Sequence, residues 1–297
     1  MGLATRAVQE SRGAGRWARL WAKRTKYLVG AVCLAICIVM LLPLVMSVLA
    51  SLKTTEDAAQ VPPIYAPTTA TFDSYERLWN FRDGLPKYLA NSFGTALLTI
   101  ALALGVTVPA GYALARFPVP GKELLFVFLL LALIIPYQAL LTPLFLMFAK
   151  LGLTNSWIGL AIVHTTIQLP FSLYIMRNSF EAVPRELEEA AVVDGGNSWQ
   201  VLTRIYLPTV VPALITVTLF AFITSWNEFL GALVMLNTDS SYTLPIVLAA
   251  ARTVNVLGGT DWGMLQAGVT ISIIPCVGFY LLLQKYYVSG LLSGAVK

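Results

Sequence analysis

An all-α membrane protein built as a six-helix bundle is the fold class this sequence predicts, on three observations. Of 297 residues 57% are apolar and 12% charged, and mean hydropathy is +0.74, outside the range of soluble globular chains. Long uncharged runs approach the roughly 20 residues that span a hydrocarbon core. The charged side chains gather between those runs, with Glu228 the one exception inside a run.

Six runs qualify, at about 28–52, 88–115, 124–149, 157–176, 209–230 and 263–284. A charge at mid-bilayer costs on the order of 2.5–3.5 kcal/mol, so their lack of charge is informative. By the same arithmetic the eight charged residues of 177–208 (Arg177, Glu181, Arg185, Glu186, Glu188, Glu189, Asp194 and Arg204) would cost roughly 20 kcal/mol to insert. That stretch belongs in water. The chain thus divides into a basic tail 1–27, a membrane domain 28–285 with the polar loop 177–208 inside it, and a tail 286–297.

Six spans put both termini on one side, and Lys and Arg decide which. Seven lie in the N-terminal tail, and that side carries 14 in all against 6 on the other. Positive-inside then places both termini and the 177–208 loop in the cytoplasm. The first run, at about 23 apolar residues, is longer than the 7–15 of a signal-peptide core, so a retained anchor is expected rather than cleavage after Val48-Leu49-Ala50. The net charge of +5 requires no nucleic acid; the tail suits an anionic leaflet. Cys33, Cys37 and Cys276 all fall within spans and read as helix filler.

Individual spans carry further expectations. In the second, Ala101 with Gly105 and Gly111 with Ala115 form two small-xxx-small pairs that permit close helix packing, with Pro109 between them. In the third, Pro136, Gln138 and Pro143 predict a kinked helix. His164, the only histidine, sits in the middle of span four, where it is either a neutral, hydrogen-bonded packing residue or part of a functional site. Trp226, Asn227 and Glu228 end span five, where tryptophan favours the interface and a carboxylate reaches water.

Midplane charges of the kind ion-driven carriers use are almost absent. No GxxxxGK[ST] loop is present, so the chain does not hydrolyse ATP by that route, and HExxH, CxxC and GxSxG are absent too. No catalytic, cofactor-binding or metal-ligating residues are assigned.

The polar loop reads as a folded knuckle. Pro184 suits a first helical position, and Glu186, Glu188 and Glu189 favour the helix N-terminus. Leu187, Ala190 and Ala191 make an apolar stripe, and Asp194-Gly195-Gly196 supplies a stop and turn. A second helix begins at Asn197 with Gln200 as in a capping box, and places Trp199, Leu202, Ile205 and Tyr206 on one face before Leu207-Pro208 leads into span five. Its low-profile alanines suit a partner's groove or packing beneath the chain's own membrane domain.

Glu189-Ala190-Ala191, then Asp194-Gly195, then nine residues to Ile205 and two more to Leu207-Pro208, resembles the EAA motif of permease subunits in ATP-binding cassette importers. "NSFGTALL", "WNEFLGALVML", "SYTLPIVL" and the ending "GLLSGAVK" are similar to the sugar-uptake, MalG-type branch. The resemblance runs from about residue 28 onward. Gly196 departs from it, since the family more often has Ala or another small residue there, and is expected to loosen the turn.

The resemblance implies a type I importer permease fold. It also implies a homologous second permease subunit, two ATPase subunits that bind ATP and Mg, and an extracytoplasmic binding protein delivering a sugar, in a bacterial inner membrane. Glu188, Glu189, Ala190, Ala191, Asp194, Gly195, Ile205, Leu207 and Pro208 would couple to the ATPase; Trp226, Asn227 and Glu228 would lie near the solute path. The external stretch 231–262, with Asn237, Asp239, Tyr242, Arg252 and Gly258-Gly259, would meet the binding protein, and Ser289–Lys297 would reach between the ATPase subunits. The alternatives are the same architecture for glycerol phosphate, a polyamine or an amino acid, and a self-sufficient carrier.

Overall fold

The computed structural model describes the backbone of residues 2–60, 62–251 and 260–295, and the side chains of 26–60, 62–251 and 260–285. Among the described residues every regular element is helical. Helix α1 (Gly2–Ser51) is continuous, so no break separates the basic tail from the first span. Short α2 (Thr55–Ala59) and α3 (Asp73–Trp79) lead into α4 (Leu85–Arg116). Then follow α5 (Lys122–Leu131), α6 (Tyr137–Lys150), α7 (Trp157–Glu181), α8 (Arg185–Val193), α9 (Ser198–Val201), α10 (Leu207–Thr209), α11 (Val211–Asn227), α12 (Leu230–Met235), α13 (Leu244–Ala251) and α14 (Trp262–Ala295).

Among the described residues, four helical segments are long and apolar enough to cross a membrane: Lys26–Ser51, Leu85–Arg116, Trp157–Glu181 and Trp262–Lys285. Two bent pairs bring the number to six. The third span is not the single kinked helix expected at 124–149. Lys122–Ile134 and Tyr137–Lys150 meet at 102°. The break falls at Pro136, whose ring disfavours a helical residue before it, and Ile135 is extended, with ψ 119°. Pro143, by contrast, lies inside α6 without breaking it. The fifth span also departs from its expected limits: α11 stops at Asn227 because Glu228 is extended, and α12 begins a new helix.

α4 and α7 form the spine. They run parallel, with Gly94 packed beneath the Trp157 ring at one end and Gly111 against Met176 at the other. A Cβ on Gly111 would come within 2.9 Å of the Met176 Cβ and 3.1 Å of the Arg177 nitrogen, so only glycine permits this approach. The other expected pair does not pack internally: Ala101 and Gly105 are exposed, and Gly105 has nothing within reach of a Cβ. α1 stands apart, exposed from Lys26 to Val45, Cys33 and Cys37 included. Among the described residues its side-chain hydrogen bonds to the bundle lie near its end, where the Ser47 hydroxyl donates to Gln266 Oε1 (2.6 Å) and Ser51 pairs with the Tyr75 hydroxyl (2.8 Å).

At the end of the bundle bearing the N-termini of α4 and α7, polar groups join the loops. Arg77 makes a two-point ion pair with Asp261 at 3.0 and 3.3 Å, and Arg82 pairs with Asp239 at 2.8 Å. Asn155 Oδ1 accepts from the backbone of Asn237 and Thr238.

Replacing Gly111 with Ala is expected to destabilise the purified subunit by about 1–3 kcal/mol through overpacking, read as a lowered Tm in detergent. Gly105→Ala is expected to leave that Tm unchanged.

Candidate functional site

The knuckle predicted between spans four and five is present. Pro184 is the cap residue, with ψ 136°, and the helix starts one residue later than expected, at Arg185. α8 ends in a Schellman turn: Gly195 N–H donates to Val192 O and Gly196 N–H to Ala191 O, both at 2.9 Å. Gly195 has φ +84°, the left-handed region that glycine enters without strain. Gly196 does not loosen this turn. A Cβ there would sit 2.8 Å from Ala191 O, so the missing side chain is what lets the second bond close.

The capping box forms as read, with Asn197 Oδ1 accepting from Gln200 N and Gln200 Oε1 accepting from Asn197 N, both at 2.9 Å. Beyond α9 the chain makes one π-helical turn, Leu202–Tyr206, then α10. It bends by 78° into α11 at Val210, between Pro208 and Pro212. The expected single face of Trp199, Leu202, Ile205 and Tyr206 is therefore divided. Leu202 and Tyr206 are buried and Ile205 is half-buried, but Trp199, on the first turn at the projecting end, is 70% exposed.

Tyr206 anchors the root of the knuckle. Its ring is fully buried beside Tyr112 (5.1 Å) and Phe180 (5.8 Å), and its hydroxyl donates to Glu188 Oε2 at 2.6 Å. The Arg116 guanidinium lies 4.9 Å above the Tyr206 ring and donates to the carbonyls of Phe180 and Val183, where α7 ends. Glu188 thus turns inward to brace the two helices of the knuckle. Nearby, buried Arg177 donates to Glu123 (2.7 Å) and Glu181 (2.8 Å) and stacks over Phe126 at 4.1 Å. Arg116, the residue that directly follows the run 88–115, was not singled out in the sequence; a charge placed immediately after that apolar run was the available signal.

The remaining loop residues form the outward side. Glu189, Ala190, Asp194, Gly195 and Pro208 are exposed, Ile205 is half-buried, and Ala191 and Leu207 are half-buried against the cluster around Tyr206. Val192 (57% exposed), Val193 (87%) and Trp199 give the tip an apolar surface that the sequence reading did not identify.

The 226–228 stretch is not an interface anchor. Trp226 is 2% exposed, between Phe93 and Phe222, and its indole N–H donates to Ser272 O at 3.1 Å. Glu228 is 9% exposed and lies beside His164, while Asn227 faces outward. α11 stops at this point, and the turn it makes carries the carboxylate into the bundle instead of toward water. In the stretch 231–262, Asp239 is held by Arg82, and Tyr242 O accepts from Asn91 Nδ2. Arg252, Gly258 and Gly259 lie outside the described residues, as do Val296, Lys297 and the side chains of the C-terminal segment from 286 onward.

Residues 107–291 match the model of a family described as binding-protein-dependent transport system inner membrane component. The trehalose transport system permease protein SugB of Mycobacterium tuberculosis is 35% identical over 235 residues, which are 78% of this chain and 84% of that one. The trehalose/maltose transport system permease protein MalG of Thermococcus litoralis is 33% identical over 276 residues, 93% and 97% of the two chains. Among solved structures, a chain of a bacterial ABC transporter involved in the import of the acidic polysaccharide alginate superposes with a TM-score of 0.78 at 26% identity, covering 90% of this chain and 98% of its own. A knuckle braced between spans four and five and a match over well more than half the chain lead to one assignment: the protein belongs to the family of inner membrane components of binding-protein-dependent transport systems.

Proposed function

We propose that this chain is one of two homologous permease subunits of an ATP-driven importer that moves a sugar or oligosaccharide across a bacterial inner membrane. Both termini and the knuckle face the cytoplasm. An extracytoplasmic binding protein delivers the solute, and two cassette subunits bind ATP and Mg and hydrolyse the nucleotide. This chain supplies no catalytic group. The observation that carries the reading is the mounting of the knuckle, whose apolar tip projects from a root held by Tyr206, Glu188 and Arg116. Relatives named for trehalose, maltose and arabinooligosaccharides support the carbohydrate class.

In this mechanism the tip, from Glu189 to Trp199, seats in a groove of an ATPase subunit. Closure of the ATPase pair moves the knuckle as a lever, and the root passes the displacement to α4 and α7. Of the three residues proposed for the solute path, only Asn227 is exposed; Trp226 and Glu228 are buried.

The direct test is reconstitution with partner permease, ATPase and binding protein, where uptake should require all four components and ATP. Accumulation of sugar by liposomes holding this chain alone would overturn the reading. Gly195→Val, which forces a β-branched residue to φ +84°, is expected to leave ATP hydrolysis in the assembled complex but lower uptake per ATP at least about tenfold. Tyr206→Phe removes a charge-assisted hydrogen bond worth about 1.5–3 kcal/mol and should lower the same ratio with the complex still assembled. Val193→Asp combined with Trp199→Ala should abolish co-purification of the ATPase while leaving the subunit's Tm unchanged.

A further inference from the structure

A buried polar cluster that the coupling mechanism leaves unused lies near the opposite end of the spine. Glu228 Oε1 accepts from the Tyr137 hydroxyl (2.6 Å) and Gly231 N–H (2.7 Å), and Oε2 accepts from Ala232 N–H (2.9 Å) and lies 3.2 Å from His164 Nε2. Four donors meet the four acceptor directions of one carboxylate, so no capacity remains for a solute hydroxyl. His164 Nδ1 pairs with Ser225 Oγ at 2.8 Å, and Thr99 of α4 lies 3.3 Å beyond. His164, Ser225 and Thr99 are all buried.

Three of the donors to Glu228 belong to the packed centre: the first turn of α12, and His164 on α7. Tyr137 does not. It opens α6 directly after the 102° break, and from Leu131 to Leu140 every residue except half-buried Tyr137 is exposed. Among the described residues from Leu131 to Leu140, the Tyr137 phenol makes the one side-chain hydrogen bond from the elbow between α5 and α6 to the bundle. Release of that phenol leaves Glu228 with three donors, so the buried charge stays satisfied while the elbow detaches. Release of His164 would instead break the packed centre.

We propose that the Tyr137–Glu228 hydrogen bond is a releasable tether for the α5–α6 elbow, and that Tyr137 is a positioning residue for opening the outer half of the transport path. Loss of the tether favours the open arrangement before the binding protein arrives. Hydrolysis then runs without its signal.

The test uses the full importer in nanodiscs with Tyr137→Phe. Binding-protein-independent ATP hydrolysis should rise at least about threefold, and stimulation by the loaded binding protein should fall by a similar factor. The Tm should stay at the wild-type value. As an independent measurement, Gln138→Cys, with Cys33, Cys37 and Cys276 replaced by Ser, should react at least about threefold faster with a membrane-impermeant thiol reagent when the Tyr137 hydroxyl is absent. Unchanged basal hydrolysis and unchanged labelling in folded Tyr137→Phe would overturn the proposal. A lowered Tm with an unchanged stimulation ratio would overturn it as well, since Tyr137 would then be a structural support only. If wild-type hydrolysis ignores the binding protein altogether, the importer reading fails instead, and the labelling comparison still decides the tether.

Discussion

Gly111 lets the α4 backbone lie against Met176 and Arg177 of α7, and the rest of the molecule is arranged around that contact. Between helices in a bilayer there is little hydrophobic drive, because lipid is as apolar as leucine, so close approach and interhelical polar contacts must do the holding. The parallel pair serves both. At the knuckle end, Tyr112 and Arg116 of α4 meet Phe180 of α7 around Tyr206. Toward the other end, Thr99 of α4 and His164 of α7 reach the same Ser225. At about 1.5 Å per residue, the 25 residues of α7 are roughly 37 Å of stiff rod between the knuckle and the loops at Asn155.

The broken spans follow from the same bilayer physics. A chain interrupted at membrane depth exposes backbone N–H groups that lipid cannot bond, so a break survives only where protein supplies partners. At the α11–α12 break, Glu228 satisfies Gly231 and Ala232 and is in turn hydrogen-bonded by Tyr137 and paired with His164. Tyr137 begins the helix that follows the other break, in span three. The two interruptions therefore stabilise one another through a single carboxylate. This accounts for an acidic residue in an otherwise uncharged run, and for its burial.

Local chemistry was legible in the sequence and long-range partnership was not. The glycine turn at 194–196 and the Asn197–Gln200 box depend on residues within six positions of each other, and they form as read. Pro136 announced a kink, but whether a proline bends a helix or breaks it depends on what awaits the freed backbone, and the partner of Tyr137 is 91 positions away. Trp226 and Glu228 looked like interface residues because composition cannot tell an amphipathic end from a buried corner. Glu188 was grouped with the outward-facing glutamates since nothing local marks Tyr206, 18 residues on, as its partner. Gly196 was judged by its lack of a side chain, whereas its role lies in the carbonyl it approaches.

The knuckle also has a gradient of rigidity that a lever needs. A nine-residue helix such as α8 is unstable alone in water, so its order comes from tertiary contacts. Those contacts are concentrated at the root, where Tyr206 is fully buried and Ala191 packs against its cluster. From Val192 to Trp199 all residues are exposed except half-buried Gly196, and order there rests on local hydrogen bonds, the Schellman pair and the capping box among them. Such a tip adapts its side chains to a groove while the root keeps its angle to α4 and α7. Burying Val193 and Trp199 in a partner would then complete the hydrophobic contacts that the tip lacks by itself. The free subunit holds the knuckle's geometry, and under the proposed function its stiffness would become complete in the assembled complex.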